Sequence, residues 1–411
     1  MSQNLGFLTS FPKTGAFYSN FCPCLLHKAG KCPYLYNEGI NSTVLPSFNM
    51  NAFRRDRPFN DLPDLPPKGD MENRTVLKKT IRAHKALAKL AGSCKLLPNQ
   101  SMLINTIGLQ EAKLSSEIEN IVTTNDELYQ AFSSDKIVTN AAVKEVLHYQ
   151  EALWQGYNFV KEKGFLNTNL IIKIFNIIKE TNDSVRKTTG TKILNTGTGE
   201  VIYTPPEGED IIRKKLKNLE DYMNTADDDT DILIKMAVMH YQFEAIHPFN
   251  DGNGRTGRIL NILFLIMHDL LELPVLYLSK YIIENKKAYY NGLNQVTEKE
   301  QWESWILFML NAVEDTALYT QQKIDEILLM MKETEKLLKE KVPDIYSKEL
   351  LEIIFSQPYC KRKYLEDAGI VKKKTAGLYL TRLEEIGLMK SIKIGKEKMY
   401  IHQQLYEVLK K

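Results

Sequence analysis

The sequence predicts a mainly α-helical chain with one β-hairpin and a small C-terminal module of helices and two strands. Three observations carry that expectation. Apolar residues recur at helical spacing through most of the stretch from residue 73 to 341. One segment, TKILNTGTGEVIYT (191–204), breaks the habit: it reads as strand, glycine turn, strand, and Pro205 and Pro206 end it. From residue 346 the composition changes, with three short helical runs, two strands around Gly395, and 14 basic residues against 8 acidic ones.

Residues 1–49 mix Gly, Pro, Ser, Asn and aromatics with no period of 2 or 3.6. They are expected to be a poorly structured leader or a mis-called extension, with Met50 as the natural start. Cys22, Cys24 and Cys32 cluster there beside His27, at a spacing that fits no standard zinc pattern. Residues 61–68 (DLPDLPPK) are an extended, Pro-rich connector. A helix is expected over 73–92, with Leu77, Ile81, Leu87 and Ala91 on its apolar face and Gly92 as its stop. Amphipathic segments follow near 101–122, 140–163, 166–182, 208–224, 230–246, 256–271, 282–295 and 299–341. The expected division is 1–49, a helical region at 50–182, a core at 183–320, a connecting helix at 321–345 and a C-terminal domain at 346–411.

Composition narrows the class of protein. The 411 residues are 43% hydrophobic and 26% charged, with a net charge of +3, which excludes a wholly disordered or collagen-like chain. No apolar run reaches the roughly 20 residues of a membrane-spanning helix, so no membrane partner is expected. The first residues lack the pattern of a secretory signal. Five cysteines are too few and too uneven for a disulfide framework, and the cytoplasm is the expected location.

Residues 247–258, HPFNDGNGRTGR, sit between two strongly apolar helical segments. Gly252 and Gly254 let the backbone approach an anion closely, and the following helix adds positive charge at its N-terminus. Arg255 and Arg258, three apart, can clamp phosphate oxygens. Asp251 is a hard oxygen ligand suited to Mg²⁺, and His247 is an imidazole base. Gly252, Gly254 and Gly257 also spell a dinucleotide-binding fingerprint, but that motif follows a strand, whereas the preceding segment has helical length. No G-x-x-x-x-G-K-[ST] phosphate loop occurs.

These residues match at every position the signature H-x-F-x-[DE]-G-N-G-R-x-x-R, and the chain thereby resembles the Fic (filamentation induced by cAMP) family. The likeness extends over roughly 50–340 through FRRDRPFNDLP, LLPNQSMLINTIGLQEAKLSSEIENI, the hairpin and VLYLSKYIIENKKAYY. The resemblance implies a Fic-type helical core and a protein adenylyltransferase, moving AMP from ATP onto a Ser, Thr or Tyr hydroxyl of a target protein. It gives His247 the role of base and Phe249 that of a core anchor, and has Asp251 hold Mg²⁺. Gly252, Asn253 and Gly254 become the anion cradle, with Thr256 and Gly257 in the same ATP-binding turn. Arg255 reaches the β-phosphate and Arg258 the γ-phosphate. Tyr290, with Tyr289, is expected to line the adenine pocket.

Upstream, SSEIEN resembles the family's inhibitory signature [ST]-x-x-x-E-[GN] at Ser115, Glu119 and Asn120. The implied mechanism is electrostatic: Glu119 occupies the Arg258 guanidinium that the γ-phosphate needs. The hairpin at 191–204 corresponds to a flap that pairs with the target's backbone. The family often forms homodimers. Residues 346–411 resemble a winged helix-turn-helix, whose third helix, opened by Lys372–Lys374, points to duplex DNA. Two alternatives stay open: a nucleotide-sensing, DNA-binding regulator, and a Fic enzyme with another nucleotide donor. Hydrolytic removal of AMP is a further reading, since Glu119 is placed to align a water.

Overall fold

The computed structural model describes residues 53–133, 139–195, 197–225, 229–394 and 397–410, with no side chains described for 101–104. The expectations for residues 1–49, the cysteine cluster and Met50 as the start lie outside the described residues. The expected mainly α-helical fold, with one small hairpin and a C-terminal domain, is present.

Helix α1 (Arg74–Cys94) starts at Asn73, whose Oδ1 accepts from the N–H groups of Thr75 (2.9 Å) and Val76 (3.1 Å). Its buried face is Val76, Lys79, Thr80, Ala83, Ala86, Leu87, Leu90, Ser93 and Cys94. Leu77 and Ile81 are exposed, so the expected apolar face is corrected. Polar residues occupy a third of the true face, each with a partner: Lys79 pairs with Glu314 and Ser93 Oγ donates to Asp325 Oδ1 at 3.2 Å on the long helix below, while Thr80 Oγ1 donates to Val76 O at 3.0 Å.

Helices α2 (Ser101–Ile118), α3 (Asn125–Ser133), α4 (Ala141–Lys163) and α5 (Thr168–Lys179) follow. The hairpin pairs β1 (Ile193–Leu194) with β2 (Val201–Tyr203), antiparallel, with Ile193 opposite Tyr203 and Leu194 opposite Val201. Then come α6 (Glu209–Asn224), α7 (Ile232–Ile246) and α8 (Asn253–Met267). Helices α7 and α8 are buried on nearly every side and form the centre of the molecule. Helix α4 closes onto α8 at Gly156, where a Cβ would stand 2.6 Å from Leu263 Cδ1. The expected 282–295 helix is two elements, α9 (Leu278–Glu284) and α10 (Lys286–Lys299). Helix α11 (Trp302–Lys341) runs 40 residues without a break, so core and connecting helix are one element. Its Trp305 Nε1 donates to Ala237 O of α7 at 2.7 Å.

The C-terminal domain comprises α12 (Lys348–Phe355), β3 (Tyr359–Cys360), α13 (Arg362–Asp367), α14 (Lys373–Glu385), β4 (Lys390–Ile394), β5 (Glu397–Ile401) and α15 (Gln403–Lys410). Its antiparallel sheet has the order β3-β5-β4. Helix, strand, two helices and a two-stranded wing is the order of a winged helix-turn-helix, as expected. The domain rests on α3: Tyr359 OH donates to Asp126 Oδ1 at 2.6 Å, Tyr364 OH to Ser133 O at 3.2 Å, and the Tyr359 ring stacks 6.0 Å from Tyr129. Among the described residues no helix is long and apolar enough to cross a membrane.

Candidate active site between helices α7 and α8

Helix α7 ends as His247 turns into left-handed backbone, φ 48°, with its N–H on Phe243 O at 3.1 Å. A side chain in that conformation needs surrounding contacts to hold it. Arg186 supplies them. Its guanidinium is buried, and Nε donates to His247 O at 2.8 Å while Nη2 donates to Ile246 O at 3.4 Å and to Pro206 O. The Arg186 backbone N–H donates to Pro248 O at 2.8 Å. One side chain thus ties the histidine turn to the segment leaving the hairpin. Burial lowers the Arg186 pKa below the usual arginine value, because its partners are carbonyl dipoles.

The imidazole of His247 is half-buried, and among the described residues its Nδ1 has no hydrogen-bond partner. Burial, then the positive charge of Arg186, push its pKa down to about 4, against the opposing carboxylates of Glu119 and Asp251. The ring is therefore neutral near pH 7 and able to accept a proton.

The turn from 248 to 252 is closed from inside. Phe249 is buried, with its ring stacked 3.9 Å from Phe175 of α5, as expected of an anchor. Asn253 is buried and holds the turn rather than facing a ligand: its Oδ1 accepts from Phe249 N at 2.9 Å and its Nδ2 donates to Phe249 O at 2.8 Å. Gly252 sits at φ 78°, where a side chain would be strained. Gly254 opens onto the charged groups: a Cβ there would lie 2.4 Å from Glu119 Oε1 and 2.9 Å from Arg258 Nη1. Thr256 and Gly257 are structural. The Thr256 hydroxyl donates to Gly252 O at 2.9 Å, and a Cβ on Gly257 would meet Glu244 Oε1 at 2.7 Å.

Arg255 and Arg258 lie on the first turns of α8, each only 1% exposed. Arg258 is fully engaged from α2. Its Nε donates to Ser115 Oγ at 2.8 Å, and its Nη2 donates to Ser115 O and Glu119 Oε1, both at 2.9 Å. Burial opposes its charge, but the Glu119 carboxylate outweighs that and raises the pKa above the usual arginine value. Asn120 follows at φ 63°, which explains why glycine or asparagine suits that position. Lys286 Nζ caps the end of α2 through Ile118 O at 2.6 Å.

Arg255 Nη1 donates to Glu145 Oε2 of α4 at 2.7 Å, while its buried Nε has no partner among the described residues. Asp251 has a side chain 68% exposed, accepts the Gly252 N–H at 2.7 Å, and pairs with Lys179 Nζ of α5 at 2.7 Å. Burial tends to raise the Asp251 pKa, yet Lys179 holds it below the usual carboxylate range. Among the described residues no group of three His, Cys, Asp or Glu side chains could hold a metal. A lone, accessible carboxylate still fits Mg²⁺, which commonly takes one or two protein carboxylates and completes its shell with phosphates and water.

Tyr289 and Tyr290 part company. Tyr289 is buried, with its hydroxyl 2.9 Å from His240 Nε2 and its ring among Trp305 and Phe308, which makes it a core residue rather than a pocket wall. Tyr290 is exposed. The hairpin is anchored below the turn, where Tyr203 OH donates to Ala245 O at 2.8 Å and packs on Phe53 and Phe59.

The structure brings together His247, Asp251, Gly252, Gly254, Arg255, Arg258, Glu119 and Ser115. Arg186, Glu145 and Lys179 join them without having been signalled by the sequence. Each lies far along the chain in an ordinary helical or loop context, and only the folded contacts single it out.

Three family models match the chain: the Fic/DOC family N-terminal domain over 77–158, the Fic/DOC family domain over 165–265, and the C-terminal domain of protein adenylyltransferase SoFic-like proteins over 330–405. A "Probable protein adenylyltransferase" of Aquifex aeolicus is 27% identical over 184 residues, 44% of this chain and 47% of that protein. A protein adenylyltransferase of Caenorhabditis elegans is 36% identical over 93 residues, 22% of this chain and 17% of that protein. The chain thus spans less than half the length of these curated relatives. The crystal structure of a Fic family protein from Desulfovibrio desulfuricans shares the fold, with a TM-score of 0.50 at 16% identity, covering 82% of this chain and 98% of that one. The chain carries Fic/DOC family domains at 77–158 and 165–265, followed by a SoFic-like C-terminal domain at 330–405.

Proposed function

We propose that the chain is a protein adenylyltransferase that moves AMP from ATP to a Ser, Thr or Tyr hydroxyl of a target protein, with Glu119 holding the site in check. The observation that carries this reading is a neutral imidazole at one end of a glycine turn and, at the other, two buried guanidinium groups on the first turns of a helix. His247 takes the proton of the incoming hydroxyl. The hydroxyl oxygen then bonds to the α-phosphorus, the bond to the β-phosphate oxygen breaks, and pyrophosphate leaves. Arg255 and Arg258 neutralise the β- and γ-phosphates, and the N-terminus of α8 adds its dipole. Asp251 would hold a Mg²⁺, which when bound supplies charge neutralisation at the phosphates. The hairpin at 191–204 receives the target's backbone as an added strand, which fixes register without demanding a particular sequence.

In this reading residues 50–182 carry the inhibitory helix, 183–320 the catalytic core and 346–411 a winged helix. A second reading concerns that last domain. Lys372, Lys373 and Lys374 are all exposed at the start of α14, which favours contact with the phosphates of duplex DNA. Binding to duplex that weakens steeply with salt is the expected result, and no binding at low salt refutes it.

The test of the enzymatic reading is transfer of label from α-labelled ATP. The Glu119→Gly chain should modify protein, the unaltered chain weakly, and the Glu119→Gly/His247→Ala chain not at all. No covalent AMP from the Glu119→Gly chain, with ATP bound, refutes it.

A further inference from the structure

Glu119 is not alone in engaging a charged group of the turn. Arg255 is paired with Glu145, Asp251 is paired with Lys179, and Lys179 Nζ lies 3.8 Å from Glu145 Oε2. The four residues form one row, Asp251–Lys179–Glu145–Arg255, contributed in that order by the turn, α5, α4 and the first turn of α8. Lys179 also roofs the turn: its Cγ and Cδ lie 3.4 Å from where a Cβ on Gly252 would be. The ammonium therefore stands against the carboxylate oxygen on which a divalent ion would bind, at the threshold of the phosphate cradle.

We propose that Lys179 is a resident cation for Asp251 that a divalent ion displaces toward Glu145, and that this pair of residues sets how strongly the ion assists nucleotide binding. The proposal rests on the reading of Asp251 and Arg255 as phosphate-site residues. A divalent cation and an ammonium repel each other when they share one carboxylate at contact distance, by a modest amount here because the Asp251 side chain is 68% exposed. The ammonium has a second seat, because Glu145 is within reach and accepts only one contact from Arg255 on that oxygen. While Glu145 holds Nη1 of Arg255, it fixes the guanidinium plane and leaves the unpartnered Nε to an incoming phosphate oxygen. Glu145 is thus a positioning residue for Arg255 and an acceptor for Lys179.

The experiment measures ADP affinity by calorimetry on the full chain, with and without Mg²⁺. ADP carries the two phosphates this row would serve and does not require Arg258 to leave Glu119. In Lys179→Met, which keeps the stem over Gly252, the Mg²⁺-dependent gain in affinity should rise by about fivefold, the scale of one partly exposed ion pair. ADP alone should bind more weakly. In Glu145→Gln the ammonium loses its second seat, so the gain should fall by a similar factor. A gain unchanged in Lys179→Met, or shifted in the same direction by both variants, overturns the proposal. So does an equal loss with and without Mg²⁺, the signature of mere damage to the fold. Opposite shifts in a chain that never transfers AMP would uphold this inference while refuting the transferase reading. Transfer with unshifted gains would do the reverse.

Discussion

Replacing Glu119 is the perturbation whose size follows most directly from the contacts. Arg258 is desolvated and makes three hydrogen bonds to α2, two to Ser115 and one to the carboxylate. A charge-assisted hydrogen bond is worth about 1.5–3 kcal/mol when its partner is well desolvated. The Glu119 side chain is 26% exposed, which points to the lower half of that range, about 1.5–2 kcal/mol. At 1.4 kcal/mol per decade, releasing Arg258 should raise productive engagement of the γ-phosphate by about 10- to 30-fold. Glu119→Gly should show the full rise. Glu119→Gln should show a smaller one, because an amide oxygen still accepts from Nη2. The assay is the initial rate of AMP incorporation from α-labelled ATP, with ATP binding measured in parallel. Without nucleotide, Glu119→Gly should also melt earlier, since a buried guanidinium loses its counter-charge, and ATP should restore the melting temperature. An unchanged transfer rate in Glu119→Gly, at unchanged ATP affinity, refutes the reasoning.

Three further outcomes are expected. Arg186→Lys cannot reach three carbonyls at once; it should lower kcat by tenfold or more, with the KM for ATP nearly constant, because the histidine turn and hairpin lose their tie while the phosphate cradle does not. Steady-state kinetics check this, and a rise in the KM for ATP with kcat preserved refutes it. The His247 pKa near 4 makes the acid limb of kcat/KM fall toward that value: protonation removes the base as pH drops, so a limb centred near 6.5 contradicts the burial argument. Cys94 and Cys360 are buried, with thiols pushed up to about 12 by desolvation, and peptide mapping should find both unalkylated until the chain unfolds.

Where chemistry and spacing coincide locally, the sequence was readable. The glycine turn, the hairpin and the wing each occupy one contiguous stretch with residue types that suit few other structures. The face of α1 was misread because its inward side includes Lys79 and Ser93, whose partners lie over 200 residues away on α11, and Thr80, whose hydroxyl turns back onto Val76 O of its own helix. Helix α3 was missed because it is short and opens with the polar residues Asn125, Asp126 and Glu127. Of the site, the groups that meet a phosphate were legible and those that hold them were not. Arg186 acts through backbone carbonyls, and Glu145 and Lys179 through each other, so none carries a local pattern. Tyr289 was misplaced for a related reason: two adjacent aromatics on one helix point to different sides, and only packing decides which one is core.

The unbroken run of α11 has a mechanical consequence. At about 1.5 Å per residue, its 40 residues make a rod about 60 Å long, seated at one end under α7 by Trp305 and carrying the C-terminal domain at the other. Only the short segment 342–347 separates the end of that rod from α12. Whatever grips the wing must bend that rod or prise Tyr359 and Tyr364 from α3, the helix that follows Glu119 along the chain. Load applied at the far end is delivered beside the latch.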